Sequence, residues 1–142
     1  MWKDAYLESR VLNASPIELV QMLYDHAIDS VREARRALAA GNIAARAAAI
    51  SKAIGAVSEL DAALDHSVDG TISRNLAGLY RYFRQRLTEA NIRQQDSPLA
   101  EVELLLTELG SAWKASAKPP QEFMNPMVWN EPELASSHTW SA

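Results

Sequence analysis

The stretch Ser15-Pro16-Ile17-Glu18-Leu19-Val20-Gln21-Met22-Leu23-Tyr24-Asp25 decides how the rest of this chain is read. Ser15 can cap a helix, Pro16 takes the first helical position at no hydrogen-bond cost, and Glu18 completes a capping box. Apolar residues then recur as Ile17, Val20, Tyr24, Ala27, Val31, Ala34 and Leu38, a three-and-four spacing that draws one stripe down a long helix. Gly41 ends it.

The pattern repeats three times. Asn42 can cap a second helix with the stripe Ile43, Ala47, Ile50, Ile54, Val57, Leu60 and Leu64, running to an Asp69-Gly70 turn. A third follows at once with Ile72, Leu76, Leu79, Tyr80, Phe83, Leu87 and Ala90, fraying near Gln94 and Gln95. Ser97-Pro98 repeats the cap-plus-proline start, and Leu99, Val102, Leu105, Leu106, Leu109 and Trp113 form the fourth stripe. Four amphipathic helices on short connections pool their stripes most economically as an all-α, antiparallel four-helix bundle. Leu60, Leu79, Phe83, Leu106 and Leu109, at the centres of their stripes, are the expected core.

The ends differ from the body. Trp2, Ala5, Tyr6 and Ser9 share one face of a short N-terminal helix that would form only by docking as a cap on the bundle. From Lys118 on, Pro119, Pro120, Pro126 and Pro132 rule out a continuous helix, yet Phe123, Met124, Met127, Val128, Trp129, Leu134 and Trp140 make the stretch too apolar for an ordinary solvated linker. The reading is a bundle domain with its cap over 1–117 and an irregular, Pro-rich tail over 118–142. That tail either packs back on the bundle or serves as a recognition strip.

Composition narrows the chemistry. The 142 residues are 48% hydrophobic and 23% charged, which is globular composition, and contain no cysteine, which excludes disulfide staples, thiolate catalysis and cysteine-based zinc sites. No signal-peptide run or membrane-length apolar stretch is present, so the expectation is a cytoplasmic protein without membrane insertion. A formal net charge of −4 gives no general attraction to nucleic acid, although Arg74, Arg81, Arg84, Arg86 and Arg93 crowd one segment against Glu89. None of His26, His66 and His138 has a glutamate three positions before it, as a carboxylate-bridged metal bundle would require, and the five glycines form no phosphate loop. The expectation is no enzyme, no metal and no cofactor.

A second row on helix two is distinctive. Ala44, Ala48, Ser51, Gly55, Ser58 and Ala62 keep helical spacing but are all small, and a glycine inside a helix costs about 1 kcal/mol relative to alanine. Either another backbone comes close at Gly55, or this is an alanine-rich surface with no special role.

Several runs together resemble a known family. Ala5-Tyr6, Val11 and the run from Ala14 to Asp25, then Lys52-Ala53-Ile54 with Glu59-Leu60 and Leu64-Asp65, then Leu79-Tyr80-x-Tyr82 with Leu87 and Ala90-Asn91, then Val102, Leu105, Leu106, Leu109 and Trp113 resemble the flagellin-specific export chaperones of the FliS type in one register over about residues 5 to 116. The resemblance implies an antiparallel four-helix bundle that holds the C-terminal segment of newly made flagellin in the cytoplasm, prevents premature polymerisation and delivers it to the flagellar type III export apparatus. It also implies an N-terminal segment lying over the client groove, with Tyr6 and Val11 at its hydrophobic positions. The candidate groove or cap residues are Tyr6, Val11, Ile17, Tyr24, Ala48, Ser51, Gly55, Ser58, Leu79, Tyr82 and Asn91. The implied partners are the flagellin C-terminal region and export components, with the protein itself a monomer or weak homodimer. Two other readings compete: an adaptor bundle that binds a different protein through the small-residue face and the tail, and an enzyme that holds an anionic substrate with Arg74, Arg81 and Arg84.

Overall fold

A computed structural model of the chain describes residues 16–64 and 70–115. The expected N-terminal cap with Tyr6 and Val11, His66, the Asp69 turn residue and the tail from 116 lie outside the described residues. Four helices carry the described part: α1 (Pro16–Ala39), α2 (Ile43–Ala62), α3 (Gly70–Arg93) and α4 (Ser97–Ala115). Each packs against its neighbours in the cyclic order α1, α2, α3, α4.

The short connections force neighbours to run antiparallel, and cross-helix pairs show it. Arg35 reaches Asp96 and Glu103 at the start of α4, whereas Lys114 at its end reaches Asp25 near the start of α1. Arg46 at the start of α2 meets Asn91 at the end of α3, and Arg84 meets Asp61 near the end of α2. Arg86 of α3 meets Glu101 of α4. These pairs fix orientation more than they stabilise, since exposed ion pairs contribute about 0–1 kcal/mol each.

Helix ends follow local chemistry. Gly41 takes φ +71°, and α1 closes with Gly41 N–H donating to Leu38 O and Asn42 N–H to Ala37 O, a Schellman arrangement that suits glycine. The Asn42 side chain then accepts from Ala45 N–H at 3.1 Å and caps α2 as expected. Two boundaries differ from expectation. Helix α2 ends at Ala62 instead of continuing to the Asp69-Gly70 turn, because Ala63 and Leu64 N–H groups donate to Leu60 and Asp61 carbonyls and tighten the last turn; Leu64 stays buried nonetheless. In α4, Ala100 N–H donates to Asp96 O, so Asp96 is the capping residue, one position before Ser97. Helix α3 ends at Arg93 where expected, but with a cap instead of a fray: Gln94, a non-glycine residue, takes φ 55°, and Gln95 N–H donates to Ala90 O at 3.3 Å.

The core is the pooled stripes. Val20, Tyr24, Ala27, Val31 and Ala34 of α1, Ile50, Val57 and Leu60 of α2, Tyr80, Phe83, Leu87 and Ala90 of α3, and Leu99, Val102, Leu106 and Trp113 of α4 are all buried. Leu79 and Leu109 are only partly buried against this core, because they lie at the edges of their stripes. Ile43 and Ile72 are corrections of a larger kind: each opens its helix at an end of the bundle and is exposed, at 61% and 44%. Ala49, Ala53 and Ala56 are the small residues that α2 buries, on the face opposite the small row singled out from the sequence.

Among the described residues few polar groups lie inside, and the largest of them are paired. Tyr24 Oη and Tyr80 Oη share a hydrogen bond of 2.6 Å, and Trp113 Nε1–H donates to Tyr24 Oη at 3.2 Å, tying α1, α3 and α4 across the core. Burial pushes both phenols above their usual range. In the unfolded chain a phenol ionises near pH 10, while these two hold their protons to higher pH. Their contribution is therefore intact below pH 10 and is lost as pH rises beyond it, by up to about 2.7 kcal/mol per pH unit for the pair. Urea unfolding at pH 9 and 11 should show this loss in the parent and a clearly smaller one in a Tyr24→Phe/Tyr80→Phe variant. Equal losses would contradict the assignment.

Candidate functional site

Helix α2 has two small-residue faces with opposite fates. The inner one packs into the core. On the outer one Ala44, Ala48, Ser51, Gly55, Ser58 and Ala62 are all exposed, and a Cβ built on Gly55 would meet nothing within 4 Å among the described residues beyond its own stretch of helix. Nothing inside the bundle therefore requires a glycine there, and the helix bears its cost of about 1 kcal/mol without a packing return. The row is flanked by half-buried Ala47 and Ile54. At one end of the bundle, where Arg46 holds Asn91, Ile43 and Ile92 are both well exposed, Ile92 at 74%.

A second apolar surface runs along the seam of α3 and α4. Leu76, Leu79, Leu105 and Leu109 are half-buried there, with exposed Ile72 near one end. Over the seam Tyr82 Oη–H donates to Glu101 Oε2 at 2.7 Å, and Arg86 Nε–H donates to Glu101 Oε1 at 2.7 Å. The hydrogen bond to Glu101 raises the Tyr82 phenol, and the bonds from Tyr82 and Arg86 hold the Glu101 carboxyl below its ordinary range.

The candidate residues do not all meet in one place. Ala48, Ser51, Gly55 and Ser58 form one continuous outer face of α2. Leu79 and Tyr82 belong to the α3–α4 seam, on another side of the bundle. Ile17 is half-buried at the start of α1. Tyr24 is completely buried and hydrogen-bonded within the core, so it supports the fold and presents nothing at the surface. Asn91 serves Arg46: its Oδ1 accepts from Arg46 Nε–H at 3.1 Å and its carbonyl from Nη2–H at 3.4 Å. Arg46 is itself buried, and it satisfies a carbonyl of the last turn of α3, where the helix dipole favours a cation. The exposed Ile92 was missed, since it stands outside the stripe and only the finished bundle shows its outward position.

Among the described residues no three of His, Asp and Glu are placed to hold a metal ion, and no helix is long and apolar enough to cross a membrane. Of the arginines considered for an anion, Arg84 is engaged by Asp61 at 3.1 Å, and Arg81 lines a shallow surface cleft beside it.

Comparison with known proteins bears on what these surfaces are for. The family described as flagellar protein FliS matches residues 2–120. The flagellar secretion chaperone FliS of Salmonella typhimurium is 41% identical over 109 residues, which is 76% of this chain and 81% of that one. FliSB of Pseudomonas aeruginosa, also a flagellar secretion chaperone, is 36% identical over 112 residues, 79% of this chain and 89% of its own. FliS of Bacillus subtilis is 32% identical over 110 residues, covering 78% and 81%. The family match takes in the N-terminal segment with Tyr6 and Val11 and leaves most of the tail beyond it.

Proposed function

This chain belongs to the FliS family of flagellar proteins, and on that premise we propose that it is a cytoplasmic chaperone for flagellin. It binds the C-terminal helical segment of the newly made subunit, prevents premature polymerisation and assists delivery to the flagellar type III export apparatus. The observation that carries this reading is the family match over residues 2–120, together with relatives named flagellar secretion chaperones.

Physical chemistry supports the same job. A filament subunit buries an apolar helical face in its neighbours, and before assembly that face needs a temporary partner. The outer row of α2 is a helix-long, side-chain-poor surface on which a second backbone can lie close, with Gly55 at its middle. Ala48, Ser51, Gly55 and Ser58 are the contacts, and the apolar seam with Leu79 and Tyr82 is a second surface for a client that wraps the bundle. Such binding needs no cofactor and no catalytic group. The N-terminal segment with Tyr6 and Val11 covers an apolar surface until the client displaces it, and the free protein is a monomer or weak homodimer.

Seeded polymerisation of flagellin, followed by light scattering, tests the proposal. Suppression should grow in proportion to added protein and be complete near equimolar amounts. Unchanged growth of filaments at a twofold excess would sink it.

A further inference from the structure

Helix α3 turns a second, quite different row outward. Arg74, Gly78, Arg81, Gln85, Thr88 and Ile92 follow a four-and-three spacing along its length, and Ile92 is the most exposed of the described large apolar residues. Among the described residues beyond its own stretch of helix, an added Cβ at Gly78 would meet nothing within 4 Å. A shallow cleft of about 540 Å³ lies on this face, lined by Arg81, Arg84, Gln85, Thr88, Ile92 and Arg93, with Glu89 the one acid in its wall. Helix α3 holds five arginines against a single glutamate in a chain whose net charge is −4. Arg84, Arg86 and Arg93 have carboxylate partners, whereas Arg74 and Arg81 have none among the described residues. An exposed cationic row with an apolar end fits an acidic partner carrying bulky apolar side chains.

The chain contains such a segment. Residues 119–142 hold Glu122, Glu131 and Glu133 and neither Lys nor Arg, interleaved with Phe123, Met124, Met127, Val128 and Trp129. The segment begins four residues after Ala115, the end of α4, and antiparallel packing sets that end beside the start of α3. Helix α3 is about 36 Å long at 1.5 Å per residue. Pro126 and Pro132 favour an extended backbone of about 3.1 Å per residue, so the 13 residues from Glu122 to Leu134 span about 40 Å and match the row end to end. We infer that residues 119–142 dock on the outer face of α3 in the same molecule, held by the arginine row and by apolar contact at Ile92. The inference is independent of flagellin binding.

The absence of cysteine makes the test clean. A nitroxide on Ser136→Cys in the full chain should remove more than half of the amide signal intensity over residues 81–92 relative to the reduced label, and little along the outer face of α2. Arg74→Glu/Arg81→Glu should cut that loss at least twofold, and adding Glu122→Arg, Glu131→Arg and Glu133→Arg should restore it. Broadening on another helix, none above the reduced control, or broadening that survives the arginine changes would overturn the inference. So would equal broadening of an unlabelled isotope-enriched chain mixed with a spin-labelled one, which would assign the face to a second copy.

Discussion

Phe83→Ala is expected to lower the unfolding free energy by about 3–5 kcal/mol, the range for emptying a phenylalanine site that cannot collapse. Phe83 is wholly buried on α3 and packs with its ring tilted 51° to Tyr80 at 6.4 Å. Tyr80 in turn is anchored to Tyr24 on the diagonal helix, so the surroundings of Phe83 are held in place and the cavity should persist. A domain has about 5–15 kcal/mol in total, so the variant should unfold at much lower urea concentration and melt about 10 °C or more below the parent. Leu109→Ala, at a partly buried site, should cost clearly less. A loss under 1 kcal/mol for Phe83→Ala would show that α3 is turned the wrong way.

Gly55→Leu should weaken binding of a flagellin C-terminal fragment at least tenfold while leaving the fold intact or slightly more stable. The two halves of this expectation have separate causes. Leucine is the better helix former by about 0.5–1 kcal/mol, and among the described residues beyond its own stretch of helix none lies within 4 Å of an added Cβ. The same side chain would hold a docked helix off the backbone at the middle of the row formed by Ala48, Ser51 and Ser58. Titration calorimetry for affinity and circular dichroism for helicity separate the effects. Unchanged affinity would remove the outer face of α2 from the site and leave the seam of α3 and α4, with Leu79, Tyr82, Leu105 and Leu109, as the place to look.

Much of this fold was legible because local and global signals agree. The Ile17, Val20, Tyr24 stripe needs only helical spacing, and Asn42 caps α2 through a bond to a residue three positions on. What could not be read depends on contacts far apart in the chain. Ile43 and Ile72 satisfy the spacing rule, but the rule cannot tell that the bundle ends where they stand. Small size marks both the buried Ala49, Ala53 and Ala56 and the exposed Ala48, Ser51 and Gly55, so the composition of α2 alone does not say which face turns inward. Asn91 was placed among the groove residues on a resemblance, yet its side chain holds a buried arginine 45 positions earlier. Tyr24 likewise reads as a surface candidate until Tyr80 and Trp113 close around it. In the candidate site, spacing alone brought the outer row of α2 together; which surface carries a client is a property of that client's shape.

Client binding is measured most directly by size-exclusion chromatography with light scattering on the full chain mixed with a flagellin fragment that contains the C-terminal region. A single one-to-one species is expected, absent when the fragment lacks that region. Separate elution of protein and intact fragment at micromolar concentrations would contradict it.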